Sequence, residues 1–304
     1  MSYQNWVLEY EASNYLREMS EDLLQERYDM LTYNLWSTGQ HGEVTPPRDP
    51  INRRSLLRLI VHVCCEQSNR RGDGMISFDE ETARSTASAS YTPATLKIPF
   101  GGSPECFAKF GQRDHIKRSF DEGVFRIAPA SSFNDASLNE AQRDNELMHW
   151  TRTPNEQMMV KFYGLDENGA EIEMPVRKQE LLRGMTVSDF YVWCCGLGYD
   201  ARLFSEFKAE AVIVIRNKQE FKRRFSEAVS KILPYSTMQD RSLVYYDPYT
   251  IHRNQLFPIF TKNIKYLHQN EYRFAWQAPA GDPLEPKYPV LGPLHDIAEF
   301  HEIS

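Results

Sequence analysis

The chain has 304 residues, of which 41% are hydrophobic and 25% charged, and a formal net charge of −7. That length is enough to bury a sizeable core and that composition excludes a disordered or fibrous chain. The acidic balance excludes a global electrostatic footprint for nucleic acid, so any such contact would rest on a local patch.

The opening stretch MSYQNWVLEYEAS lacks the basic-then-apolar order of a signal peptide. Residues 11–36 carry Leu16, Met19, Leu23, Leu31 and Leu35 near helical spacing and predict an amphipathic helix. A Gly- and Pro-containing loop leads to a second, nearly all-apolar helix over 52–69. Its most apolar part, 56–65, is too short to span a bilayer and includes Arg58 and His62, so no membrane segment is expected. The Ser-, Thr- and Gly-rich stretch that follows has no period and reads as a long mobile loop or a lid. A boundary is placed there, with a helical N-terminal region 1–98 and a second region 99–304.

From Cys106 the pattern changes. ECFAKFG alternates as a strand, DHIKRSFDEG reads as a short helix ending at Gly123, and VFRIAPA reads as a second strand. QMMVKFYGLDENGAEIEMPV is a β-hairpin with Asn168-Gly169 as its turn signal. FYVWCCG is a strand, YDARLFSEFKA a helix, and EAVIVIRN a strand apolar enough for burial on both faces. Asn217 and Glu220 form a capping box for a helix over 217–232, with Phe221, Phe225, Val229 and Ile232 facing inward. SLVYYDP and EYRFAW supply further strands. The fold class that emerges is α+β with a mixed, mostly antiparallel sheet and a helical N-terminal extension.

Three stretches carry candidate chemistry. GLGYDA (196–201) has the spacing of a dinucleotide-binding turn, but the next strand ends in Arg216-Asn217 rather than an acid, so a structural turn is the better reading. SSFND (131–135) follows the strand carrying Arg126 and sets Phe133 among Ser132, Asn134 and Asp135; it reads either as turn caps or as a ligand-lining loop. KYLHQNEYRFAW (265–276) reads as a strand, with Gln269 and Glu271 on one face by the period of two. Glu271 has no second ligand at metal spacing; it is either paired with Arg273 or a lysine on an exposed strand, or is a carboxylate aimed at a cationic transition state. The five cysteines, Cys64, Cys65, Cys106, Cys194 and Cys195, lack metal spacing and read as reduced, buried thiols, so no metal is expected.

FRIAPASSFND and FTKNIKYLHQNEYRF resemble a family of bacterial proteins with an F-N-D loop and a late E-x-R segment. The order of elements from Cys106 to Trp276 also resembles the ADP-ribosyltransferase superfamily, with Gln269-Asn270-Glu271 in place of its Q-x-E loop. The resemblance implies a split, mostly antiparallel sheet, NAD as donor, and transfer of ADP-ribose to an intracellular protein or nucleic acid. In that reading Glu271 is catalytic and Gln269 positions the acceptor. Phe133 or Tyr191 stacks on nicotinamide, and Arg126 or Lys109 holds a phosphate. Trp193-Cys194-Cys195 replaces the family's Ser-Thr-Ser strand, and Lys109 or Arg113 stands where an Arg or His is expected. The likeness further implies a cytoplasmic toxin or phage-defence effector restrained by an inhibitory partner. An NAD glycohydrolase, or a non-catalytic module that binds a nucleotide or nucleic acid, fits the same residues.

Overall fold

The structure, a computed structural model, describes residues 3–39, 41–47, 49–73, 78–89, 96, 105–138, 141, 143–154, 162–174, 180–251, 256–277 and 284–303. The boundary placed near residue 98, and the expected hairpin's two ends before residue 162 and after residue 174, lie outside them. The helices are α1 (Tyr3–Ser13), α2 (Glu21–Asn34), α3 (Pro50–Arg71), α4 (Glu80–Ala89), α5 (Arg113–Asp121), α6 (Arg202–Glu206) and α7 (Lys218–Ser230). The strands up to β9 are β1 (Ser37–Thr38), β2 (Val44–Thr45), β3 (Phe107–Gly111), β4 (Ala128–Pro129), β5 (Met148–Pro154), β6 (Phe162–Leu165), β7 (Glu171–Met174), β8 (Glu180–Thr186) and β9 (Phe190–Leu197). The later strands are β10 (Ala211–Ile215), β11 (Met238–Ser242), β12 (Val244–Tyr246), β13 (Thr261–Asn263), β14 (Glu271–Gln277) and β15 (Ala298–Glu302). The chain is α+β, with mostly antiparallel pairing; β12 and β13 run parallel.

Seven strands form the main sheet in the order β11-β14-β9-β3-β10-β15, with β4 added beside β9. The seam between its halves is thin. β3 meets β9 through only two residue pairs, Phe107↔Leu197 and Ala108↔Gly196. Further along the same edge of β9, β4 pairs at Tyr191 and Val192. Between these contacts β3 leaves β9 and stays with β10, so a notch opens beside Trp193, Cys194 and Cys195.

Alternation along β9 assigns its side chains. Tyr191, Trp193 and Cys195 join the core under α7, while Phe190, Val192 and Cys194 belong to the opposite face. The core under α7 is aromatic: the Trp193 ring lies 5.3 Å from Phe221, 5.2 Å from Phe225 and 5.3 Å from Phe274. Helix α7 starts as its capping residues require, with Asn217 Oδ1 accepting from the Glu220 amide at 3.1 Å. It ends at Ser230, and Ile232 beyond it is exposed rather than inward, because the helical face no longer continues there. Helix α5 stops at a left-handed Gly123, φ +69°, where a Cβ would stand 2.0 Å from the Gly292 carbonyl oxygen.

Other departures from the periodic reading have local causes. The helix expected over 11–36 is broken at Asn14, φ +47°, into α1 and α2, with Ser20 capping the second. The stretch read as loop or lid contains α4, started by Asp79, whose carboxylate accepts from the Glu81 and Thr82 amides. VFRIAPA pairs as a ladder only at Ala128 and Pro129; Val124 and Ile127 make single bridges to Val290 and Lys287. Residues 264–269 form a 3₁₀ turn instead of a strand, closed by a left-handed Asn270 at φ +40°.

The N-terminal helices grip that turn. Ile264 and Leu267 enter the core formed by α1, α2 and α3. Arg27 of α2 makes a two-pronged bond to Asp247, 2.9 Å at each prong, with both side chains buried. Removing one partner leaves an uncompensated buried charge. Asp247→Ala is therefore expected to lower unfolding free energy by about 3–5 kcal/mol, measured by urea denaturation.

Candidate ligand cleft and its charged floor

The notch between β3 and β9 opens into a cleft of about 240 Å³. Six separate segments line it: Lys109 and Phe110 from β3, Arg126 and Phe133 around β4, Ala141 and Glu146 from the following loop, Cys194 from β9, Leu203 and Phe207 at α6, and Lys262, Gln269 and Glu271 from the late segment. Lys109 reaches into the gap and donates to the Cys194 carbonyl oxygen at 2.7 Å, which replaces the strand pairing lost there. Its ammonium lies 5.4 Å from the centre of the Trp193 ring.

Beneath the cleft lies a buried charge cluster. Glu271 Oε2 accepts from Lys262 Nζ at 2.9 Å, and Oε1 accepts from Arg273 at 3.0 and 2.8 Å. Arg273 also donates to Glu146 at 2.9 Å, and Lys262 stands 3.6 Å from the same carboxylate. Arg273 has no exposed surface, and Glu271 is only 7% exposed. Burial alone would raise the Glu271 pKa, but Lys262 and Arg273 hold it below the usual carboxylate range. Burial likewise opposes the charge on Lys262, yet Glu271, Glu146 and Asp144 raise its pKa. The Cys194 thiol is pushed up by burial and by Glu271, so it stays protonated.

The expected pairing of Glu271 with Arg273 and a lysine is thus present, but inside the protein rather than on an exposed strand. Of the sequence-predicted site residues, Glu271, Gln269, Lys109, Arg126, Phe133 and Cys194 share the cleft. Tyr191 and Trp193 do not: strand alternation sends both into the core under α7, where a ring of ligand cannot reach them. Arg113 opens α5 and pairs with Glu302, away from the cleft. Ser132 donates to the Pro129 carbonyl oxygen at 2.7 Å, and Asp135 accepts from the Ser137 amide at 2.8 Å, so these two serve the turn. Asn134 ends the same turn, exposed and outside the lining.

Gln269 is occupied at both ends. Its Nε2 donates to the Ala141 carbonyl oxygen at 2.9 Å and its Oε1 accepts from Lys262 at 3.2 Å. Together with Tyr266, whose hydroxyl donates to the Arg143 carbonyl oxygen at 3.0 Å, it pins Ala141 and Arg143 over the floor. This is a wall-holding role, not the free amide that acceptor positioning would need. Glu146 and Asp144 were not singled out from sequence: NEAQRDNE offers polar residues in plenty and no period that would separate these two. Lys262 sits in the quoted late segment, but only the parallel pairing of β13 with β12 brings it to the floor.

Compared with protein-family models, curated proteins and solved structures, the chain matches none. Among the described residues no group of side chains is arranged to hold a metal ion, and no helix is long and apolar enough to cross a membrane.

Burial and Glu146 push the Asp144 carboxyl up to about 6, against the pull of Lys262. A carboxyl raised in the folded state favours folding while protonated and loses that contribution as pH rises through about 6. Asp144→Asn is therefore expected to stabilise the protein near pH 8, by about 3 kcal/mol at most, with the gain vanishing below about pH 4. Urea denaturation across that range measures it; a gain independent of pH would contradict the assignment.

Proposed function

We propose that the cleft binds a nucleotide by its phosphates, with Lys109 and Arg126 as the anion-holding groups and Phe133 as an apolar wall. One observation carries this reading. Lys262 and the buried Arg273 are matched by Glu271 and Glu146, whereas Lys109 and Arg126 have no carboxylate partner among the described residues. Their charge is available to a ligand, and Lys109 keeps two of its three N–H donors after bonding Cys194. The volume of about 240 Å³ suits part of a dinucleotide rather than a polymer.

A second reading is transfer of ADP-ribose from NAD, which the likeness to ADP-ribosyltransferases suggests and the presence of Glu271 in the same cleft favours. In it the ribose C1′–nicotinamide bond breaks, the bonding pair leaves with nicotinamide, and an acceptor oxygen or nitrogen bonds C1′ and loses its proton. Glu271 would stabilise the ribosyl cation, but both its oxygens already accept from Lys262 and Arg273. Two cations at hydrogen-bond distance cancel most of the field a cationic transition state would feel. Binding without transfer is therefore the leading reading, and a toxin or phage-defence role depends on the second.

Titration calorimetry with ADP and with NAD tests the first. Lys109→Ala and Arg126→Ala are each expected to weaken binding by about tenfold, with affinity falling as salt rises. No binding of either nucleotide, or variants that bind as the parent does, would refute it. Incubation with NAD, with and without protein or nucleic-acid acceptors, separates the readings: binding without nicotinamide release supports the module. Release that disappears in a folded Glu271→Gln variant supports the transferase or glycohydrolase.

A further inference from the structure

We infer that the cavity lined by α2 and α4 is a second binding site, separate from the cleft, for a small organic cation carrying a ring. Its volume is about 790 Å³, within the range of small-molecule sites. Two helices turn one face each to it: Tyr28, Asp29, Thr32 and Tyr33 of α2, and Thr82, Ala83, Thr86 and Ala87 of α4. Both sets have the spacing of a single helix face. None of the described side chains of α4 is buried, so this helix stands over the space rather than filling it. Helix α6 divides the cavity from the cleft: Arg202, Ser205 and Glu206 line the former, Leu203 the latter.

The charge of the lining selects the ligand. Asp29 and Asp79 are exposed members of it and have no cationic partner among the described residues. Bonds from Thr82 hold the Asp79 carboxyl below the usual carboxylate range, so it stays ionised. Burial, then Cys64 and both carboxylates, raise the pKa of the Tyr28 hydroxyl, so the charges of α2 and of the α4 cap act on one phenol. The remaining lining carboxylate, Glu206, is engaged by Tyr33 and His268. Arg202 is engaged within the fold: it bonds Asp200 and the carbonyl oxygens of Tyr33 and Trp36. The stretches adjoining α4, residues 74–77 and 90–95, contain no charged side chain. The uncompensated charge is therefore negative, which disfavours phosphates and carboxylates and favours an ammonium. Tyr28, Tyr33, Trp36 and Phe78 add aromatic rings, which suit a cation and a ring alike. The Trp36 indole N–H is buried in this wall without a hydrogen-bond partner among the described residues, and an acceptor oxygen on the ligand would complete it.

Titration calorimetry of the full chain with three probes of one skeleton tests this: tyramine, a cation; tyrosol, its neutral alcohol; and para-hydroxyphenylacetate, its anion. Tyramine is expected to bind about tenfold more tightly than tyrosol and less tightly as salt rises, with no binding of the anion. Asp29→Asn and Asp79→Asn should each weaken tyramine about threefold and leave tyrosol unchanged. Asparagine keeps the cap at the start of α4. Thr86→Phe, an exposed change that fills the cavity from α4, should remove binding of both while the circular dichroism stays that of the parent. Tyramine that fails to bind, that binds no better than the alcohol or the anion, or that binds all three variants as it binds the parent would overturn the proposal.

Discussion

Two carboxylates and two cations share a site from which water is nearly excluded: Glu271 and Glu146 with Lys262 and Arg273. Each alone would carry a desolvation penalty of several kcal/mol, and only their mutual geometry makes the group tolerable. Their positions come from three separate parts of the fold. Glu271 and Arg273 lie two apart on β14, Lys262 lies on β13, and Glu146 lies on the loop before β5. Loss of any one member would leave a buried charge without its counterpart, so the cluster ties these segments to a single arrangement. The cleft above inherits its shape from that constraint.

The same cluster decides the electrostatics of the cleft. With Lys262 and Arg273 of the floor paired to Glu271 and Glu146, Lys109 and Arg126 are the lining cations with no carboxylate partner among the described residues. Lys109 is placed by the split in the sheet: where β3 leaves β9, its ammonium takes over the carbonyl that a strand would have bonded. The architecture thus converts a defect in a β-ladder into a fixed cation beside a cavity.

Support for the late segment comes from the N-terminal helices. Asn34 donates to the Met30 and Lys265 carbonyl oxygens and accepts from the His268 amide, so the end of α2 holds the turn that presents Gln269. His268 also bonds Glu206 at 2.7 Å, joining that turn to α6. The N-terminal layer is thus joined to the wall of the cleft through residues 264–269 by packed side chains and hydrogen bonds.

Local chemistry determined much of the secondary structure on its own: the cap of α7 at Asn217, the left-handed Gly123 after α5, the Asn168-Gly169 turn, and the doubly buried β10 all follow from short-range rules that neighbouring residues obey regardless of the rest of the chain. It also indicated that Glu271 and Phe133 belong to segments worth watching. What only tertiary structure decided is which way these groups face and whom they meet. A side chain's direction on β9 depends on a register set by β14, which sends Trp193 inward and Cys194 toward the cleft. Whether Glu271 is free or paired depends on Lys262 and Glu146, which are 9 and 125 residues away in sequence and 2.9 Å and one arginine away in space. Ion pairing acts over ångströms of space, not positions of sequence, and no periodicity in the chain encodes it.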